Sequence, residues 1–278
     1  MNPSPEKAAG TTGDDAGVRL SYVLPYFRRL HELEFALRHN GPRFARPGCE
    51  VVLALDEPSQ TARLLDLIGT KHPDIKWRVV VNERDHDWRG PTRAINVGIR
   101  HAVGAAVLVA SPESVFADDP ADFLPLLDTG TRTYVIGRVV FCSYAEFEAV
   151  PAGDLGEIFE TYQRRLGVPK FYGSILARRA EFADVTGYDE SLLKWSGDDV
   201  NLRIRMMRNG VRMTPRPDLR VIHLAQESQV SGKPLKAWNR PHHTEAEYDA
   251  AVAPTRTRAN GDDWGRDFDH VVFDWRAG

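Results

Sequence analysis

The segment Trp195-Ser196-Gly197-Asp198-Asp199-Val200-Asn201-Leu202-Arg203-Ile204-Arg205 carries the densest chemistry in the chain. An aromatic residue and a flexible Ser-Gly pair deliver two adjacent carboxylates, Asp198 and Asp199, to the start of a helix. That helix runs on through Met206 to a stop at Asn209-Gly210. Two carboxylates this close repel each other as they ionise, which can lift one pKa into the range of a working base. Acidic residues in a first helical turn also serve plain helix stability, through free backbone N–H groups and the helix dipole. The order of the surrounding elements separates the two uses.

Those elements alternate between strand and helix. A β-branched and aromatic run over 18–24 ends at Pro25, and a helical pattern follows with Phe27, Leu30, Leu33 and Leu37 on one face. Residues 50–55 form a nearly continuous apolar strand, the pattern of a sheet covered on both faces. Next come a helix marked by Leu64, Leu67 and Ile68, a strand through Trp77, Val79 and Val81, and a helix carrying Ala94, Ile95, Val97 and Ile99. A buried strand over 105–110 follows. The alternation predicts an α/β fold with a mostly parallel, doubly wound (Rossmann-like) sheet flanked by helices. Further on, strands are predicted over 134–141 and 171–177, helices over 154–166 and from Arg179, and two short strands around 211–213 and 219–224. Residues 1–17 read as a disordered N-terminus, 18–225 as one domain, and 226–278 as a C-terminal extension with little periodicity.

The chain has 278 residues, enough to bury a full core, and a net charge of -3 with interspersed signs, which makes no electrostatic case for nucleic acid. Cys49 and Cys142 flank no metal-type spacing and read as reduced thiols. No apolar run approaches the roughly 18 residues of a membrane span, and the start has no hydrophobic signal core. The expectation is a cytoplasmic protein without a transmembrane segment.

In an open parallel sheet, ligands bind beyond the carboxyl ends of the strands. Here those ends carry Pro25-Tyr26, Asp56-Glu57, residues 82–93 and Ser111-Pro112-Glu113. Asp56 and Glu57 can hydrogen-bond a nucleobase or ribose, or cap the helix that starts near Ser59. Arg89-Gly90-Pro91-Thr92-Arg93 opens a helix whose free N–H groups and two arginines can hold a diphosphate. A solvated basic helix start is the plainer reading. No GxGxxG follows the first strand and no GxxxxGK[ST] occurs, so dinucleotide and P-loop sites lose their main support.

In this order the residues resemble family 2-like glycosyltransferases of the GT-A fold, which move sugars from nucleotide diphosphates. The family's Pro-Thr/Ser-Tyr-Asn strand end stands here as Leu24-Pro25-Tyr26-Phe27, and its Val-Asp-Asp-Gly-Ser as Leu55-Asp56-Glu57-Pro58-Ser59. Its Gly-x-x-x-Ala-Arg-Asn-x-Gly helix is matched by residues 90–98, with Asn96 retained, Ile95 in place of the arginine and Arg93 two positions earlier. Thr186-Gly187-Tyr188-Asp189-Glu190 matches Gly-Gly-Phe-Asp-Glu, and residues 195–205 match Trp-Gly-Gly-Glu-Asp-x-Asp-Leu-x-x-Arg. The resemblance covers 18–224.

The resemblance implies a nucleotide-sugar donor held by Pro25, Tyr26, Asp56, Glu57, Arg89, Arg93, Asn96 and Glu113. It implies a glycan or small-molecule hydroxyl acceptor beside Trp195 and Asp198, with Asp199 as general base of an inverting transfer. The C-terminal extension would wrap the surface or border the acceptor. The family's metal-holding Asp-x-Asp falls on Ser111-Pro112-Glu113, which leaves Glu113 alone. His223, on a strand where such enzymes place a ligating histidine, is then the second ligand of a weakly held Mn²⁺ or Mg²⁺, or the cation is absent. His86, His242 and His243 carry no ligand geometry. Two other readings stand beside this one. A catalytically degenerate relative would bind a nucleotide sugar or glycan without turnover, and a nucleotidyltransferase would need a Gly-rich loop where Leu24-Pro25-Tyr26-Phe27 stands.

Overall fold

The computed structural model describes residues 17–149, 154–171, 173–225 and 241–277. Residues 1–16 of the expected disordered N-terminus and 226–240 of the extension lie outside the described residues. The strands are β1 (Leu20–Tyr26), β2 (Cys49–Leu55), β3 (Trp77–Val81), β4 (Ala106–Val109), β5 (Ser114–Phe116), β6 (Thr133–Ser143), β7 (Ile175–Arg178), β8 (Arg212–Ala225) and β9 (His270–Asp274). The helices are α1 (Leu30–Phe44), α2 (Thr61–Lys71), α3 (Thr92–His101), α4 (Tyr144–Ala149), α5 (Leu155–Leu166), α6 (Arg179–Asp184), α7 (Asp198–Arg208) and α8 (Glu245–Ala251). The strands form one sheet in the order β5-β8-β6-β7-β4-β1-β2-β3-β9.

Alternation along β1 shows how the sequence builds two cores. Leu20, Tyr22 and Leu24 face one side with Leu33, Leu37 and Phe44 of α1, while Val23 faces the other with Ile95 and Ile99 of α3. Both faces are covered, so all seven residues of β2 are buried. α3 approaches β1 closely at Gly98, where an added Cβ would come within 2.4 Å of Val23.

The α/β layering is as expected, and β1 pairs parallel with both β2 and β4, as does β2 with β3. Beyond β4 the sheet is mixed. β7 runs antiparallel to both β4 and β6, β5 to β8, and β9 to β3, whereas β6 and β8 are parallel. The sheet is still mostly parallel, as expected, since β1 to β4, β6 and β8 share one direction and β5, β7 and β9 oppose them; a buried apolar run specifies a strand but not its direction, so those three reversals are not readable from it. The two short strands expected around 211–213 and 219–224 are one strand, β8. Its register against β6 jumps at Gly137/Arg138, with Arg216 and Arg220 as successive partners, so Pro217 and its neighbours leave the ladder.

The C-terminal segment belongs to the same body. β9 lines the edge of β3, Trp264 and Phe268 are buried, and Trp275 donates to Glu50 at 3.1 Å. Cys49 and Cys142 are buried free thiols. Among the described residues no helix is long and apolar enough to cross a membrane.

Candidate active site

A cleft of ≈ 140 Å³, open to solvent, lies across the carboxyl ends of the parallel strands. Pro25, Tyr26, Asp56, Arg89, Glu113, Trp195, Asp198, Asp199 and His223 all line it. The sheet places them: β1 ends at Tyr26, the Asp56 N–H bonds the Tyr26 carbonyl at 2.8 Å, and β5 sets Ser114 opposite His223. Glu57, Arg93 and Asn96, expected beside the donor, are not among the lining residues.

Each of those three is engaged elsewhere. Glu57 is buried and accepts from the Ser59 N–H at 3.0 Å and the Ser59 hydroxyl at 2.8 Å, closing the turn after β2. Asn96 is fully buried; it accepts from the Tyr188 N–H at 2.7 Å and donates to the Tyr188 carbonyl and Glu190. It thereby ties α3 to the strap that leads into α7. Arg93 donates to Asp267 at 2.7 Å. Arg89 remains at the cleft, but Asp56 takes its Nε at 2.9 Å and one Nη at 2.5 Å, and Asp267 takes the same Nη. Burial alone would raise the Asp267 pKa, yet hydrogen bonds from Arg89 and Arg93 turn the shift downward.

At the end formed by β4, β5 and β8, Glu113 Oε1 lies 3.8 Å from His223 Nε2 and 3.8 Å from an Arg29 nitrogen. Arg29, just beyond the end of β1, also donates to Glu32 at 3.1 Å. The Glu113–His223 pair fits an open-sided divalent cation that completes its shell with phosphate oxygens and water. No closed cage of three or more His, Cys, Asp or Glu side chains exists among the described residues.

The opposite wall is the start of α7. Ser196 and Gly197 both adopt left-handed φ, 85° and 89°, which turns the chain sharply into Asp198. Gly197 suits this conformation, and an added Cβ there would also press on Ala251 of α8 at 3.2 Å. Ser196 tolerates it less well, and such backbone strain concentrates at functional positions. The Tyr188 hydroxyl donates to Asp199 at 3.3 Å. Burial, and then the charge of Asp198, push the Asp199 carboxyl up to about 8, while Tyr188 opposes the rise; burial raises Asp198 as well. Trp195 is 37% exposed, with the Trp88 ring 6.3 Å away at the same rim.

Four residues of this neighbourhood escaped the sequence reading. Trp88 lies in the strand-end loop 82–93 already singled out, Arg29 lies just past Pro25-Tyr26 where the pattern reads as helix, and Tyr188 lies inside the Gly187-Tyr188-Asp189-Glu190 match. Asp267 sits in the aperiodic tail, where no local pattern marks it.

No curated protein matches the chain. The profile of a family described as the N-terminal domain of galactosyltransferase matches residues 154–226, which include β7, α7 and β8. Among solved structures the chain is similar to the mannosyltransferase PcManGT from Pyrobaculum calidifontis, in complex with GDP-Man and Mn²⁺. That match has 18% identity over 75% of this chain and 57% of the other, with a TM-score of 0.50. It is also similar to S. aureus TarS 1-349 in complex with UDP-GlcNAc, with 15% identity over 76% of this chain and 59% of the other, at a TM-score of 0.52. The chain thus spans a little over half the length of these solved relatives. Sheet order, cleft and structural likeness together identify the fold as the GT-A fold of the glycosyltransferases.

Proposed function

We propose that this protein is a nucleotide-sugar-dependent glycosyltransferase, hexosyltransferase-like and inverting, with Asp199 as general base. One observation carries the reading. A carboxylate with its pKa raised into the working range of a base faces, within one cleft, a Glu113–His223–Arg29 cluster suited to a diphosphate. PcManGT in complex with GDP-Man and TarS in complex with UDP-GlcNAc support a nucleotide sugar as the class of donor.

Asp199 takes the proton of the acceptor hydroxyl as its oxygen bonds to the anomeric carbon. The bond from that carbon to the diphosphate oxygen breaks, and the nucleoside diphosphate leaves with the electron pair. Asp198 hydrogen-bonds the acceptor, and Trp195 with Trp88 offers apolar ring faces to a sugar at the rim. Arg29 supplies fixed positive charge to the leaving group. A divalent cation held by Glu113 and His223 would add further charge to that diphosphate. Asp56, paired with Arg89, presents both acceptor and donor atoms to the nucleoside.

A panel of UDP- and GDP-sugars tested by thermal shift, with and without Mn²⁺, identifies the donor. Ligand at about 100 times its Kd stabilises the fold by about 2.7 kcal/mol. Product formation on a hydroxyl acceptor, with inversion at the anomeric carbon by NMR, is the expected result. Binding without transfer or hydrolysis would leave a degenerate, non-catalytic relative, and retention would remove Asp199 as the base.

A further inference from the structure

We propose that the donor sugar is a 6-deoxyhexose, and that Ile95 and Ala110 set this specificity by giving its methyl-bearing edge an apolar floor. The proposal rests on the transferase reading, which sets the diphosphate at Glu113, His223 and Arg29 and the attacking hydroxyl at Asp199.

The floor combines the end of β4 with the start of α3. Pro91, Ala94, Ile95, Val109 and Ala110 all line the cleft. On the diphosphate side, Ala110 leads through Ser111 and Pro112 into Glu113. On the acceptor side, Ile95 and Val109 share one apolar cluster with Leu202 of α7 and with Tyr188, whose hydroxyl donates to Asp199. Val109 also pairs with Ile175 of β7, two residues past Gly173, which lines the cleft too. A sugar whose anomeric carbon lies between the leaving diphosphate and the attacking hydroxyl therefore has its ring over these side chains.

The donors of this floor are spent. The Ile95 N–H bonds the Pro91 carbonyl at 2.8 Å, the Ala110 N–H bonds the Val23 carbonyl at 3.1 Å, and Val109 is paired with β1 on one side and β7 on the other. The polar residues that flank Ile95 on α3 serve other partners, Arg93 on Asp267 and Asn96 on Tyr188 and Glu190. Ser111 is the first polar side chain after Ala110, and it stands towards Glu113. A sugar hydroxyl pressed onto such a floor gives up its water and gains no partner. A methyl group in the same place gains by burial. Exchange of a hexose hydroxymethyl for methyl makes that change alone, and it leaves the ring hydroxyls for the open side of the cleft.

Matched donors test this on the full chain by calorimetric titration with Mn²⁺ present. The pairs are UDP-glucose and UDP-6-deoxyglucose, dTDP-glucose and dTDP-6-deoxyglucose, and GDP-mannose and GDP-6-deoxymannose. On the nucleotide that binds, the 6-deoxy sugar is expected to bind about 10- to 100-fold tighter than its hydroxylated twin. Equal affinities, or a preference for the hydroxylated sugar, overturn the proposal. Ile95→Thr and Ala110→Ser each give the floor a hydroxyl with little change in volume, and each is expected to narrow the gap by about tenfold. A gap that persists in both folded variants overturns the assignment to these residues. UDP, dTDP and GDP are titrated alongside. A nucleoside diphosphate that binds while both of its sugars fail overturns the proposal and leaves the diphosphate site standing. If neither nucleotides nor sugars bind, the transferase reading itself fails.

Discussion

Asp267 accepts a 2.7 Å hydrogen bond from Arg93, and through its other oxygen it also holds Arg89. The two arginines that precede and open α3 are thus neutralised by Asp267 of the tail together with Asp56, and a diphosphate would have to displace these carboxylates. Arg93→Ala is therefore expected to cost about 1 kcal/mol of stability, since it removes one hydrogen bond to a part-buried carboxylate that Arg89 still holds. Donor affinity should stay within about twofold, well under the 1.4 kcal/mol of a tenfold change. Chemical denaturation and donor titration check both halves; a donor Kd weakened about tenfold would put Arg93 back on the diphosphate.

Asp199→Asn keeps the shape of the side chain and removes its basicity. It is expected to lower kcat by about 10² to 10⁴ with donor affinity intact. The same substitution should stabilise the fold at alkaline pH. The carboxyl binds its proton more tightly folded than unfolded, so ionising it opposes folding. Wild-type stability from this group falls as pH rises from about 4, the ordinary carboxylate value, towards about 8. Melting curves of the two proteins should coincide near the lower pH and separate at the upper one, with the variant more stable. Equal Tm values at the upper pH would show that the folded chain does not hold this proton.

How much of this could be read from the chain depends on how local each cause is. Pro25, Asp56 and Glu113 stand directly after apolar strands, and Asp198 and Asp199 open a helix with a clear stop, so short-range pattern places all five. Arg93 has the same local look as a phosphate ligand, but its partner Asp267 lies 174 residues away in a stretch without periodicity. Asn96 reads as polar surface on a helix, yet the strap at Tyr188 consumes both its donor and its acceptor. Strand direction beyond β4 was hidden for a related reason. Burial on both faces erases the alternation that would tell an edge from a centre, and β9 arrives from the tail to pair with β3.

Glu113→Gln should remove the Mn²⁺-dependent part of donor affinity, a loss of about tenfold or more, and His223→Asn should do the same. Both rest on the 3.8 Å separation that lets one cation touch both side chains. Thermal shift with donor, with Mn²⁺ and with chelator separates the metal-dependent part from the rest. If chelator leaves wild-type donor affinity unchanged, the leaving group is served by protein charge alone, and Arg29→Ala should then carry the loss.

Tyr188→Phe and Asp198→Asn should move the acidic limb of the pH–rate profile in opposite directions. The Tyr188 hydroxyl donates to Asp199 at 3.3 Å and so favours the ionised base. Without it the limb should shift to higher pH by about half to one unit, the worth of one ordinary hydrogen bond. Asp198 acts the other way, since its charge raises the Asp199 pKa. Asp198→Asn should therefore move the limb to lower pH, and it should weaken acceptor binding more than it lowers the plateau rate. Profiles of kcat/KM against pH at saturating donor give both shifts in one experiment. Displacement of both variants in the same direction would mean that the limb belongs to a group other than Asp199.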